Sequence, residues 1–88
     1  MNKPLIEIFG RDGCAWCARA KALLQRRNYR FVYRSLSENP GLVSELNRRA
    51  PDAKTLPQIF VGSRHIGGFT SLEALDATGE LQQLIGGM

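Results

Sequence analysis

The sequence predicts an α/β domain: a four-stranded mixed sheet flanked by helices, in the order βαβαββα. Three observations predict it. An apolar run, a run of strong helix formers and a second apolar run succeed one another within the first forty residues, the pattern of a right-handed parallel unit. A Gly62-Ser63 turn separates two short runs of strand character, which reads as a hairpin. Helical patterns then lie before and after that hairpin, so both faces of the sheet have cover.

Taken in order, Pro4 to Phe9 reads as a strand, apolar except at Glu7, and Gly10 ends it. After a turn-forming Gly10-Arg11-Asp12-Gly13, a helix is expected from Cys14 to about Arg27, with Asn28 as its stop. Cys17, Ala20 and Leu24 fall at i, i+3 and i+7, so Cys17 faces inward, while Cys14 in the first turn stays exposed. Phe31-Val32-Tyr33 is the second strand. Asn39 as cap and Pro40 in the first helical position open a second helix, with Leu42, Val43 and Leu46 on its apolar side and its end near Arg49.

Pro51 to Lys54 is loop, Gln58 to Val61 a strand, and Arg64-His65-Ile66 a short returning strand on which His65 is a half-exposed residue away from the cysteines. Gly67-Gly68 breaks the sheet. Thr70 and Glu73 fit a capping box for the next helix, Leu72 and Leu75 form its inner face, and Gly79 ends it. Glu80 to Ile85 adds a further turn or two that packs Leu81, Leu84 and Ile85.

Composition bounds the function. A chain of 88 residues, 43% hydrophobic and 23% charged, is expected to form one domain over residues 1–88 with a modest core. The N-terminal apolar run is too short for a signal-peptide core or a membrane span, so a cytoplasmic protein is expected. The net charge is +4, densest at Arg26, Arg27, Arg30 and Arg34. No nucleic-acid motif accompanies it, and a solvated helix end with an exposed strand edge accounts for the group.

The chemistry centres on Cys14-Ala15-Trp16-Cys17, which holds both cysteines of the chain. Two intervening residues let a dithiol close across one helical turn. Cys14 stands where a loop enters a helix, so free N–H groups and the helix dipole favour its thiolate, and Arg11 adds positive charge. A zinc site needs four ligands, and the chain has two cysteines and one histidine, with no second ligand pair. Two inert core cysteines are the other reading.

Four stretches together carry a family likeness: Cys14 to Cys17, Ala18 to Leu24, Thr55-Leu56-Pro57-Gln58-Ile59-Phe60, and His65-Ile66-Gly67-Gly68-Phe69. Ser71 to Leu81 also fits. The chain resembles the glutaredoxins, a thioredoxin-fold family that uses glutathione. The resemblance implies a thioredoxin-like fold, a redox-active Cys14–Cys17 disulfide, a cis peptide before Pro57, and an activity in electron transport and cell redox homeostasis. It also implies a glutathione site on Arg11, Trp16, Thr55, Leu56, Pro57, Gly68, Phe69, Thr70 and Ser71. The glycyl carboxylate would lie at Arg11, with Arg48 or Arg49 as a helper, and the γ-glutamyl carboxylate at the N–H groups of Thr70 and Ser71. Protein clients, among them ribonucleotide reductase, follow from the same resemblance, as does a monomer.

The sequence departs from the family at three places. Ala15 and Trp16 replace the Pro-Tyr of the commonest motif. Ser71 stands where an acidic residue often holds the glutathione amino group. Phe69 stands where some members carry a third cysteine. Ser71 leaves open a redoxin reduced by thioredoxin reductase. Ala15 leaves open a [2Fe–2S] scaffold or carrier, as the resemblance implies for members without that proline, with the cluster between two protomers and Cys14 and glutathione as ligands.

Overall fold

The computed structural model describes residues 3–86. Its elements are β1 (Ile6–Gly10), α1 (Ala15–Arg26), β2 (Val32–Ser35), α2 (Leu42–Arg49), β3 (Gln58–Val61), β4 (Arg64–Gly67), α3 (Phe69–Thr78) and α4 (Glu80–Leu84). The strands form one sheet in the order β2-β1-β3-β4. β1 runs parallel to β2 and antiparallel to β3, and β3 pairs antiparallel with β4. The predicted mixed four-stranded sheet is present.

Both faces of the two central strands are covered, which is why β1 and β3 are buried at every position. Ile6, Ile8, Ile59 and Val61 pack on one face with Ala20, Leu23 and Leu24 of α1, Leu72 of α3 and Leu81 of α4. Phe9 and Phe60 face the other way, edge to face at 5.6 Å, against Leu46 and Ala50. Alternation along each strand therefore sends successive side chains to two separate cores.

The α2 side is small in apolar residues and is joined by charge. Glu7, 8% exposed, takes Arg34 and Arg49 at 3.0 and 2.8 Å, and Glu45 takes the same two arginines. Arg49 also lies over the Phe60 ring at 4.2 Å. This corrects the reading of the arginine group as wholly solvated. Arg34 ties β2 to α2 and β1, and Arg27 pairs with Asp76 across α1 and α3 at 3.0 Å. The sheet order brings these charges together, which no local pattern displays.

Several boundaries move. Gly10 lies inside β1, paired with Ser35, and β2 runs on to Ser35 in that register. α2 begins at Leu42 with Gly41 as its cap, not at Pro40. The Asn39 side chain accepts from Gly41 N–H at 3.1 Å, and Leu42 N–H bonds Asn39 O, so Asn39 builds a turn ahead of the helix. Val43, expected on the apolar side, is 42% exposed, while Leu46 packs. The Thr70–Glu73 capping box does not form. Gly67 at φ +113 and an extended Gly68 turn the chain into α3 early, so Phe69 is its first residue and Gly68 its cap. Gly79 ends α3 in the left-handed conformation, as expected.

Candidate active site

Cys14 is the N-cap of α1, with extended backbone, and Cys17 lies one turn on. The two are joined as a disulfide, their Cα atoms 5.2 Å apart. Cys17 is 1% exposed among the α1 core residues, and Cys14 is half-buried at the surface. The helical spacing dictates this asymmetry, as the sequence predicts. Cys17 N–H points at Cys14 Sγ at 3.2 Å. No acidic residue stands in the first turn of α1. A thiolate on Cys14 therefore meets a donor and the positive end of the helix with no opposing charge in that turn.

The loop that delivers Cys14 is clamped by β2 and the turn after it. The Tyr33 hydroxyl donates to Arg11 O at 3.2 Å, and Asp12 N–H donates to Ser37 Oγ at 2.9 Å. Burial, with the Asp12 charge as a smaller cause, holds the Tyr33 hydroxyl above its ordinary value, so it remains a donor. Neither Tyr33 nor Ser37 carries a sequence signal for this role, because their partners are backbone atoms more than twenty residues away.

Opposite the sulfur, Leu56 O lies 3.9 Å from Cys14 Sγ, and the Leu56–Pro57 bond is cis. The Thr55–Pro57 segment is held from behind. Gln58 Nε2 donates to Thr55 O at 2.8 Å, and Gln58 Oε1 meets His65 Nε2 at 2.6 Å. Since the amide nitrogen is used on Thr55, Oε1 accepts and His65 Nε2 carries the proton. His65 is an exposed strand residue stacked on Phe60, as expected of β4, yet it reaches the site through Gln58. That connection is absent from the sequence reading.

Two hollows flank the disulfide. One, about 260 Å³, is lined by Trp16, Thr55, Leu56, Pro57, Gly68, Phe69 and Thr70. The other, about 510 Å³, runs past Arg11, Trp16, Leu36, Val43, Lys54, Thr55 and Leu56. Trp16 stands between them, 49% exposed, with Phe69 at 5.6 Å and the Arg19 guanidinium at 4.6 Å. Every predicted site residue except Ser71 and the two cysteines lines one or both. Ser71 lies in the first turn of α3, its Oγ 3.2 Å from where a Cβ on Gly67 would stand. The glycine that the backbone demands is thus Gly67; a Cβ on Gly68 would make only an ordinary 3.6 Å contact with Pro57 O. Arg49 is engaged by Glu7 and Glu45, and neither it nor Arg48 lines these two hollows; Lys54 does. A separate hollow, about 560 Å³, lies along Lys3, Leu5, Tyr29 and Arg30 and holds no site residue.

Among the described residues no group of three or more His, Cys, Asp or Glu is placed to hold a metal ion, and this chain offers a cluster only the Cys14 sulfur, Cys17 being buried. Among the described residues no helix is long and apolar enough to cross a membrane.

Comparison with known proteins agrees with this geometry. The family model described as glutaredoxin matches residues 6–66. A glutaredoxin of Pseudomonas aeruginosa is 39% identical over 93% of this chain and 96% of its own. The solution structure of glutaredoxin from Brucella melitensis is 41% identical, with a TM-score of 0.79 over 97% of this chain and 91% of that one. A dithiolic glutaredoxin of Trypanosoma brucei brucei is 33% identical, with a TM-score of 0.79 over 93% and 87%. With a thioredoxin-like sheet, a Cys14–Cys17 disulfide at the start of α1 and these relatives, the chain belongs to the glutaredoxin family and is a thiol–disulfide oxidoreductase.

Proposed function

We propose that the chain reduces protein disulfides and glutathione mixed disulfides with electrons from glutathione. The observation that carries this reading is the 260 Å³ hollow, which runs from Leu56, whose carbonyl oxygen lies 3.9 Å from Cys14 Sγ, to the start of α3. No side chain caps that helix, so the N–H groups of its first turn face outward with the positive dipole end. A γ-glutamyl carboxylate suits that end, the glutathione sulfur suits Cys14, and the glycyl carboxylate suits Arg11 across the Trp16 ridge. Leu56, beside the sulfur, offers backbone groups to an extended tripeptide.

On a glutathionylated protein, the Cys14 thiolate attacks the glutathione sulfur. A Cys14–glutathione disulfide forms and the protein thiolate leaves with the electron pair. A second glutathione thiolate then attacks the bound one, freeing Cys14 and giving glutathione disulfide. On a protein disulfide, Cys14 forms the mixed disulfide and Cys17 displaces the protein thiolate. Two glutathiones reduce the resulting Cys14–Cys17 bond. Burial of Cys17 keeps it from attacking substrates directly, while its place one turn away lets it resolve.

The test is reduction of a small mixed disulfide coupled to glutathione, glutathione reductase and NADPH, beside the same reaction with thioredoxin reductase and NADPH. Turnover in the first and none in the second is expected. The reverse result assigns the electrons to thioredoxin reductase and discards the glutathione reading.

A further inference from the structure

The placement of glutathione above takes Arg11, Trp16, Thr55 and Leu56 of the 510 Å³ groove and none of its other lining residues. Its far wall is Leu36 and Val43, outside every residue assigned to glutathione. Val43 is one of the few large apolar side chains this exposed among the described residues, and Trp16, across the groove, is another. Arg11 and Lys54 stand on the same groove, and no carboxylate lines it. Both cations lack an ion-pair partner among the described residues, whereas Arg27, Arg34 and Arg49 are all paired.

An apolar wall with two unpaired cations beside a reactive sulfur is a surface of definite chemistry. Burying Val43 and Trp16 against an apolar side chain removes their area from water. Arg11 and Lys54 favour a carboxylate next to it and disfavour an ammonium. We infer that the groove docks the polypeptide beside the reactive cysteine of a protein client, and selects segments in which an apolar residue and an acidic residue flank that cysteine. This rests on the reading of the dithiol as acting on proteins; it does not need glutathione to be the electron source.

The experiment uses the Cys17→Ser protein, so that one chemical event is read. Short peptides carry a single cysteine joined by a disulfide to 2-nitro-5-thiobenzoate. The Cys14 thiolate bonds to the peptide sulfur, the peptide–nitrothiobenzoate bond breaks, and the yellow thiolate leaves with the electron pair. No net oxidation occurs. Three peptides differ only beside the cysteine: leucine with glutamate, leucine with lysine, and alanine with glutamate.

The leucine–glutamate peptide should react about fivefold to tenfold faster than its lysine twin, the product of two partly exposed charge contacts. Lys54→Glu should remove most of that preference. Arg30→Glu makes the same charge change on an exposed residue of the distant hollow and should leave the preference largely in place. Val43→Ser should bring the leucine–glutamate peptide down toward the alanine–glutamate rate. Lys54, Val43 and Arg30 are all exposed, so these variants should fold. Equal rates for the two charge twins would overturn the inference. So would an Arg30→Glu loss as large as that of Lys54→Glu, which would mean steering by the whole protein's field. The glutathione-coupled assay is separate from these arms. A failed coupled assay with an intact peptide preference removes glutathione and keeps the groove; a working assay with no preference does the opposite.

Discussion

The Tyr33 ring occupies the space that a side chain on Gly10 would need: a Cβ there would stand 2.9 Å from Tyr33 Cε1 and closer still to Cζ and the hydroxyl. The two residues lie on the same face of adjacent parallel strands, Gly10 opposite Ser35 and Tyr33 opposite Ile8. With the ring seated over Gly10, its hydroxyl reaches Arg11 O and Lys21 Nζ lies 4.2 Å from the ring centroid. The glycine thus makes room for the side chain that holds the cysteine loop. Gly10→Ala should destabilise the fold by about 1–3 kcal/mol through overpacking. Denaturant unfolding should show this, and should show a smaller loss than the sum of single losses in Gly10→Ala/Tyr33→Val, because the two sites touch.

The cysteines should separate by function. Cys14→Ser should abolish all turnover. Cys17→Ser should still remove glutathione from a thiol, which needs one cysteine, and lose reduction of protein disulfides. In the reduced protein, alkylation at mildly acidic pH should label Cys14 first. Equal activity losses on a glutathionylated substrate, or Cys17 labelled first, would reverse the roles.

Ser71 tests where glutathione lies. The first turn of α3 offers donors for a carboxylate but no anion for the neighbouring ammonium. Ser71→Asp should lower the apparent KM for glutathione by roughly twofold to fivefold, the worth of a partly exposed ion pair. The gain should shrink with added salt, and kcat should hardly move. A higher KM would remove the amino group from the side of Ser71.

Glu45 links stability to pH. Its hydrogen bond from Arg34, then that from Arg49, holds its carboxyl below the ordinary 4.5. A lowered folded-state value means the contribution is present in full above the ordinary value and is lost as pH falls through the folded one. Urea midpoints should therefore drop on acidification below about pH 4.5, and Glu45→Gln should flatten that drop. At neutral pH the substitution should remove roughly 1 kcal/mol or less, since the cluster is partly open to solvent. An unchanged acid limb in Glu45→Gln would place the sensitivity elsewhere.

His65 should matter to the site although it lies outside it. His65→Phe keeps the stack on Phe60 and deletes the bond to Gln58. Loss of that bond frees Gln58 from one side, loosening its hold on Thr55 O. The expected result is a raised KM for glutathione with little change in thermal midpoint. A shift in the midpoint with KM unchanged would make the contact purely structural.

Features that depend on neighbours along the chain were legible in the sequence by itself. The two-residue spacing of the cysteines, the helical phase that buries Cys17 while Cys14 stays at the helix entry, the Gly62-Ser63 hairpin and the Gly79 stop each need only a few adjacent residues and the fixed periods of strand and helix. Two helix starts were misplaced, with Asn39 expected as cap where Gly41 stands and Thr70 where Gly68 stands, because Asn39 and Gly67 act through turns that propensity does not rank.

Tertiary structure alone decided which distant groups meet. Glu7 finds Arg49 across 42 positions, Arg34 finds Glu7 across 27, and Tyr33 finds Arg11 across 22. These meetings follow from the strand order β2-β1-β3-β4, which sets β1 between β2 and β3 and lays α2 over one face. A charge or hydroxyl has the same local pattern whether its partner is water or a buried carboxylate. Only the packed sheet distinguishes the two, by excluding the water.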